Sequence, residues 1–523
     1  MLFLLACAPE SEPDTGLAPR EGLIRLSVDL RGIHPSEEEL VAIEANPELY
    51  SAYVDRWLED PRFLGRMREI FDARFLTDTG ETYFEAPASL AAVPESDIAR
   101  SVGEEPLRLL TYILENDLPY SYMVTADHTM ADATLAEMWE LDREPGEGWT
   151  KATWRDGRPA AGALSMTTIW QRYPSMGGNA NRHRANAIVK MFLCDDYLTR
   201  PIVLNRAAVD LLTVDPEDAI NTTQTCQSCH STLDPLAGNL FGFFHYDALD
   251  ERSDAIAYRP ETEEGWRDYS GKEPGYYGRP TSSLVELGAN LAADARFGDC
   301  AVRTVWEGLS QQTYTDDDWG NVQGLADVYD EAGGRLVPVV RAMVLSDEYR
   351  GGDRVGPVRT ASPRQLASII EDLTGYRWTF DGDEGLSVND MGLPVLAGGR
   401  DDLFVTQRGY TPSLGAAFVQ ERLAQAAARH VAEHDLADGR SDDAILLAYV
   451  TSADTPESAP EAFDAQIRAL YLRITGVPLA EDATEPARLA ALWNQLHDID
   501  GSATSAWAGV VSVVLRDPRV LFY

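Results

Sequence analysis

Apolar side chains recur every three to four residues over much of this chain, which is the spacing of amphipathic helices. Leu49, Tyr53 and Trp57 follow one another at intervals of four residues, and similar stripes occupy residues 302–309 and 339–344. Alternating apolar and polar runs, which would indicate half-buried strands, are scarce. The pattern predicts an all-α protein.

Local signals mark where some of these helices begin. Ser36 and Glu39 have the spacing of a capping box, in which each side chain bonds the other residue's backbone N–H. Asp60 is followed by Pro61, and proline is favoured at the first position of a helix. The sequence therefore predicts helix starts just after Ser36 and at Pro61.

The charge of the chain restricts its partners. Among 523 residues there are 85 acidic and 44 basic side chains, giving a formal net charge of −41. Such a surface repels the phosphate backbone of nucleic acids, so nucleic-acid binding is not expected. The same surface would favour a partner with a basic docking face.

Residues 226–230 contain the most specific motif in the sequence. Cys226, Cys229 and His230 form a Cys-x-x-Cys-His motif, the attachment signal for c-type haem. On a helix, thiols at positions i and i+3 share a face and can form thioethers with two vinyl groups. The histidine at i+4 lies on that face and can ligate the iron. The sequence predicts one covalent haem c, with His230 as the proximal ligand.

The second axial ligand is left open by the sequence. Met176, in a glycine-rich segment, and His245 are the two main candidates, while Met166, His183 and Met191 are others. The iron could also be five-coordinate, which would suit peroxide or small-ligand chemistry.

The residues around the motif suggest how it is held. Asn221, Thr222 and Thr223 can cap a short helix that carries the motif, and Asp234-Pro235 is predicted to end it. Apolar side chains then follow that could cover a porphyrin: Leu233, Leu236, Leu240, Phe241, Phe243 and Phe244. An ordinary protein core would use the same side chains.

The first residues suggest export. Leu4 to Cys7 resembles the lipobox of a bacterial lipoprotein, with Cys7 as the lipidated residue, and Ala8 to Gly16 is typical of a polar tether. Haem attachment through a Cys-x-x-Cys-His motif also requires export. We therefore expect a cell-envelope lipoprotein, held to the membrane by its lipid and facing the periplasm or the cell surface.

Two further cysteines remain. An exported protein permits a disulfide between Cys194 and Cys300. Alternatively, these two cysteines and the motif cysteines could form a four-cysteine zinc site. A separate His-x-x-Glu-His pattern over residues 430–434 matches one class of metalloprotease, although a solvated helix face explains it equally well.

Several blocks of the chain resemble a group of exported bacterial proteins, the planctomycete- and myxobacterial-type cytochrome c domain proteins. The blocks are residues 25–63, residues 181–194, the haem block 226–247, and residues 297–306. The resemblance covers most of residues 25–350, and the haem block is its specific part. It implies covalent haem and a cell-envelope location, but no settled reaction. A predicted loop, residues 260–280, departs from the family pattern.

Together these signals predict a multi-domain helical protein with a central cytochrome c-like haem domain. The expected units are a lipoprotein signal and tether (1–20), an N-terminal helical domain (21–200), a haem domain (201–350) and a C-terminal helical domain (358–523). Electron transfer in the envelope is the expected role. A peroxidase-like haem oxidoreductase is the alternative, and a scaffold or surface-polymer-binding lipoprotein with structural haem is a third possibility.

Overall fold

The computed structural model describes residues 17–82, 85–175, 177–201, 206–243, 258–351, 358–380, 383–387, 392–411, 413–437 and 443–523. The protein is mostly helical, with 63% helix and 4% strand. The all-α class predicted from the periodicity is therefore confirmed.

Helices follow one another along the described chain, with short 3-10 turns between some of them. Those before residue 201 are Pro19–Arg31, Glu37–Ala45, Tyr50–Leu58, Pro61–Phe75, Glu95–Gly103, Glu105–Glu115, Tyr122–Thr125, Ala133–Met138, Thr167–Arg172 and Arg182–Leu193. The next group is Arg206–Val214, Pro216–Thr222, Gln224–Gly238, Gly265–Ser270, Leu284–Ala292, Ala295–Ser310, Trp319–Glu331, Leu336–Leu345 and Asp347–Gly351. The last group is Pro363–Thr374, Leu393–Leu396, Leu414–Asp435, Pro460–Thr475, Glu485–Asp500, Ala503–Leu515 and Pro518–Leu521.

The strands in the described residues are short and antiparallel. Strands β1 (Thr129–Ala131), β2 (Asp142–Arg143) and β3 (Thr150–Thr153) form a sheet in the order β1-β3-β2, with Met130 opposite Lys151. Two-stranded hairpins pair Gly275–Tyr276 with Arg279–Pro280 and Thr379–Phe380 with Asp383–Glu384. A small apolar cluster that includes Leu135 and Trp139 packs beside the three-stranded sheet.

Sequence signals for individual helices agree with the structure. The Ser36 side chain accepts a bond from the Glu39 N–H at 3.2 Å, and the Glu39 carboxylate accepts one from the Ser36 N–H at 2.9 Å. Asp60 caps the helix that begins at Pro61. The predicted capping box and the predicted helix start at Pro61 are both confirmed. Both features depend only on neighbouring residues.

Two main hydrophobic cores lie along the chain. The larger one contains buried side chains from Leu23 to Tyr349, on both sides of residue 200. Segments 21–200 and 201–350 therefore share a core, although the sequence places a domain boundary between them. The second core contains buried side chains from Ala361 to Leu521, within the predicted C-terminal domain. Residues 352–357, between the predicted domains 201–350 and 358–523, lie outside the described residues.

The first helix, Pro19–Arg31, belongs to both cores. Leu23 and Leu26 enter the larger core, whereas Ile24 and Val28 enter the second. The helix ends at Gly32, whose φ of 71° is left-handed and is readily adopted by glycine. The next helix, Glu37–Ala45, also contributes to both cores, through Leu40 and Ile43.

A buried polar cluster around Asp29 lies on the same helix. The Asp29 carboxylate accepts bonds from the hydroxyls of Tyr349 at 2.7 Å and Tyr523 at 2.8 Å, and it pairs with Arg359. Asp29 and Arg359 are both almost fully buried. Because a buried charge is stable only when paired, this cluster fixes the first helix against residues that lie far along the chain.

Candidate haem-attachment site

The Cys-x-x-Cys-His motif lies on one helix, Gln224–Gly238, which we call the motif helix. Cys226 and Cys229 are free and half-buried, and His230 is also half-buried. Because the three residues occupy positions i, i+3 and i+4 of a helix, their side chains share a face. The two free thiols and the imidazole are the donor set that c-type haem attachment requires.

The predicted start and end of this helix were partly wrong. Thr223 occupies the capping position, but its hydroxyl donates to the Ala219 carbonyl instead of capping. The helix does not end at Asp234-Pro235 and continues to Gly238. Proline removes one backbone donor there, and the burial of Leu236 and the ionic contacts of Asp234 offset that loss.

His230 is held by Asp234, one helical turn further on. The His230 Nδ1 lies 2.8 Å from the Asp234 Oδ1, and the Asp234 side chain is 1% exposed. A carboxylate acceptor at Nδ1 keeps the proton on that nitrogen and directs Nε2 outward as the free donor atom. The orientation of the His230 ring is therefore fixed by a partner on its own helix.

Asp234 also contacts two basic side chains from other segments. Arg182 Nε lies 2.7 Å from its Oδ1, and Lys272 Nζ lies 2.8 Å from its Oδ2. Burial would raise the pKa of Asp234, but hydrogen bonds from His230, Arg182 and Lys272 outweigh it and hold this pKa far below its usual range. Asp234 is therefore a charged acceptor at any physiological pH.

Sequence reasoning assigned Asp234 only to the end of a helix and did not identify its role. The i,i+4 spacing of His230 and Asp234 is a local signal that could have revealed the contact. No such signal exists for Arg182 and Lys272, which reach Asp234 from separate parts of the chain.

The segment from Pro260 to Pro280 is folded against the motif helix and is not the loop that the sequence predicts. It contains the helix Gly265–Ser270 and a short hairpin. Trp266 is fully buried, and a Cβ at Gly238 would lie 2.5 Å from its indole nitrogen. The close approach of Trp266 explains why only glycine fits at position 238, and it brings Lys272 to Asp234.

The apolar residues after the motif pack within the protein. Leu233, Leu236, Leu240, Phe241 and Phe243 are all buried in the larger core, and Phe244 lies outside the described residues. The five described side chains therefore belong to an ordinary protein core.

Apolar side chains before the motif are left uncovered. The helix Arg206–Val214 packs on Pro216–Thr222, which in turn packs on the motif helix. Val214 is 83% exposed and Leu198 is 80% exposed. Neither side chain belongs to the larger core, although both lie on segments that precede the motif helix in the chain.

Cys194 and Cys300 form a disulfide in the structure, with their Cα atoms 5.2 Å apart. This pairing contradicts the four-cysteine zinc alternative, because two of the four thiolates are already used. Within the described ranges no group of three or more His, Cys, Asp or Glu side chains could hold a metal ion.

The remaining predicted site residues are placed as follows. Met176, His245 and Cys7 lie outside the described residues. Met166 and Met191 are buried in the larger core, and His183 is exposed beside Tyr173.

The His-x-x-Glu-His pattern lies on the solvent-facing side of the helix Leu414–Asp435. His430, Glu433 and His434 are exposed, and His434 Nδ1 lies 2.9 Å from the Asp435 carboxylate. These residues therefore lie on a solvated helix face, which is the second of the two interpretations of this pattern.

Comparison with known proteins gives no match to a family model, a curated protein or a solved structure. In the part of the chain that the structure describes, no helix is both long and apolar enough to span a membrane.

Proposed function

We propose that this protein is an exported single-haem cytochrome that carries electrons in the bacterial cell envelope. The observation that supports this most strongly is the motif helix, with two free thiols and a histidine whose Nδ1 is bonded to Asp234. The central part of the chain, residues 201–350, would then be a cytochrome c-like haem domain. When bound, the haem would supply a one-electron redox centre.

The residues of the site would divide the work of holding the cofactor. Cys226 and Cys229 would fix it covalently, and His230 would supply Nε2 as the axial donor. Asp234 is a positioning residue, because its contact with Nδ1 fixes the orientation of the imidazole ring. Arg182 and Lys272 keep Asp234 ionised and in place.

The disulfide supports export. Disulfides persist in oxidising compartments such as the periplasm, and the structure contains a disulfide between Cys194 and Cys300. Anchoring through a lipid on Cys7 and docking of a basic redox partner on the acidic surface complete the proposal.

The test is to produce the chain in a bacterium that attaches c-type haem, and to stain a denaturing gel for haem. The wild type is expected to keep its haem, and the double variant Cys226→Ala/Cys229→Ala to lose it. Gln227→Ala/Ser228→Ala is the matched control, since it changes two exposed residues between the cysteines, leaves both thiols in place and should retain the stain. An unstained wild-type band would refute the proposal.

A haem oxidoreductase of the peroxidase type is the second candidate, and the Asp234 contact favours it. When haem is bound, a charged acceptor on His230 would lower the reduction potential of the iron. An absorption spectrum of the haem-loaded protein separates the two functions. A six-coordinate, low-spin spectrum indicates electron transfer, whereas a five-coordinate, high-spin spectrum with peroxide turnover indicates the oxidoreductase.

A further inference from the structure

A cavity of about 530 Å³ opens between the helices Pro61–Phe75 and Pro363–Thr374. Small-molecule sites in proteins commonly have volumes of about 300 to 1,000 Å³. Its lining residues come from both the N-terminal part of the chain and the C-terminal unit. The cavity is distinct from the motif helix, none of whose residues line it.

The charge of this cavity is opposite to that of the whole protein. Seven arginines and five carboxylates line it, although acidic residues outnumber basic ones by 85 to 44 in the full sequence. At physiological ionic strength, charges more than about 8 Å apart are largely screened. Three of the lining arginines, Arg31, Arg62 and Arg100, are paired with carboxylates just outside the lining. The local potential therefore depends on which lining arginine lacks a carboxylate partner.

Each of the five lining carboxylates already has an arginine partner. Glu69 pairs with Arg66, and Asp78 with Arg364. The other three pairs are Glu104 with Arg108, Glu371 with Arg377 and Glu384 with Arg377. Each acidic side chain of the cavity thus contacts an arginine, and Glu371 and Glu384 share Arg377.

Arg68 is the lining arginine whose charge is not matched in this way. Its Nη1 donates to the neutral hydroxyl of Thr111 at 3.0 Å, and among the described residues no carboxylate lies within 4 Å of its guanidinium. Burial, together with repulsion from Arg108, lowers the pKa of Arg68 to about 10, so it stays protonated at neutral pH. A half-buried cation with a neutral partner is stabilised by an incoming anion.

We propose that this cavity binds a small organic molecule carrying two or more oxyanion groups, phosphate or carboxylate. The planar guanidinium presents paired N–H donors that match both groups. Arg68 would provide the unmatched charge, and Arg377, at the rim and 59% exposed, a second contact. This site is independent of the proposed haem function.

Titration calorimetry on the full-length protein tests the proposal, with pyrophosphate and citrate as separate probes at constant ionic strength. We expect saturable one-to-one binding of at least one probe, and the tighter of the two identifies the phosphate or the carboxylate class. Arg68→Gln should weaken binding at least about tenfold, which corresponds to the loss of one charge-assisted hydrogen bond.

Two further variants keep the result interpretable. Arg377→Gln alters an exposed side chain, so it should fold normally and still weaken binding severalfold. Arg341→Gln, which removes an exposed arginine paired with Asp55 outside the cavity, is the matched control and should bind as the wild type does. Absence of saturable binding with both probes, or equal affinity in Arg68→Gln and wild type, would overturn the proposal.

Discussion

Replacing Asp234 with alanine is expected to destabilise the protein strongly. The carboxylate is 1% exposed and contacts three side chains, His230, Arg182 and Lys272. Alanine would leave Arg182 and Lys272 without their buried counter-ion. Asparagine keeps the size and one acceptor oxygen, so Asp234→Asn should lose less stability than Asp234→Ala.

The size of the effect follows from the burial of the partners. Removing one member of a buried ion pair typically costs about 3–5 kcal/mol. Arg182 is 16% exposed and Lys272 is 27% exposed, so both would regain part of their hydration. We therefore expect a loss at the lower end, about 3 kcal/mol for Asp234→Ala.

Urea unfolding at pH 7, followed by far-ultraviolet circular dichroism, measures this loss. The depressed pKa of Asp234 also sets the pH dependence. Its stabilising contribution is complete above the unfolded carboxyl pKa of about 3.9 and declines as the pH falls below that value. The difference between wild type and Asp234→Ala should therefore narrow below about pH 4.

Asp55→Ala provides the control for this experiment. Asp55 also pairs with an arginine, Arg341 at 2.7 Å, but it is 56% exposed. Exposed pairs contribute little, so this variant should unfold at nearly the wild-type urea concentration. If Asp234→Ala unfolded at the same urea concentration as Asp55→Ala, the reasoning about the buried carboxylate would be refuted.

Two more predictions concern stability. The Cys194–Cys300 disulfide spans 106 residues. Closing a loop of that length predicts that Cys194→Ala/Cys300→Ala lowers the free energy of unfolding by about 4–5 kcal/mol. A thermal unfolding midpoint that does not change when the wild-type disulfide is reduced would contradict this. Burial raises the pKa of Glu105 to about 7, so the folded state retains a proton that the unfolded chain releases above about pH 4.3, and stability falls as the pH rises towards 7. Glu105→Gln should remove this decline in stability with pH and stabilise the protein at pH 8 by up to about 3 kcal/mol. The prediction is disproved if the variant and the wild type lose the same stability between pH 5 and pH 8.

Local features of this protein could be predicted from the sequence. The Ser36 capping box and the Pro61 helix start depend on residues within one turn, and the structure contains both. The motif spacing that places Cys226, Cys229 and His230 on one helix is equally local. Propensity alone was insufficient at Pro235, because packing and ionic contacts carry the helix past the proline.

Features that depend on distant residues could not be predicted in this way. Leu23 and Ile24 are adjacent and equally apolar, yet they enter different cores. Lys272 reaches Asp234 across 38 positions, from a segment that the sequence presents only as a polar loop. Hydrophobic periodicity shows that a side chain is buried, but not which partner buries it.

The Asp29 cluster has a consequence for the timing of folding. Asp29 contacts Arg359 and Tyr523, which lie 330 and 494 positions later. At about 5–20 residues per second, a ribosome needs about 25–100 s to make the intervening chain. The first helix therefore cannot complete its contacts with Arg359 and Tyr523 until the end of that interval. Cys226 and Cys229 lie between Asp29 and Arg359 in the sequence, so both thiols are part of the chain before the Asp29 cluster can form.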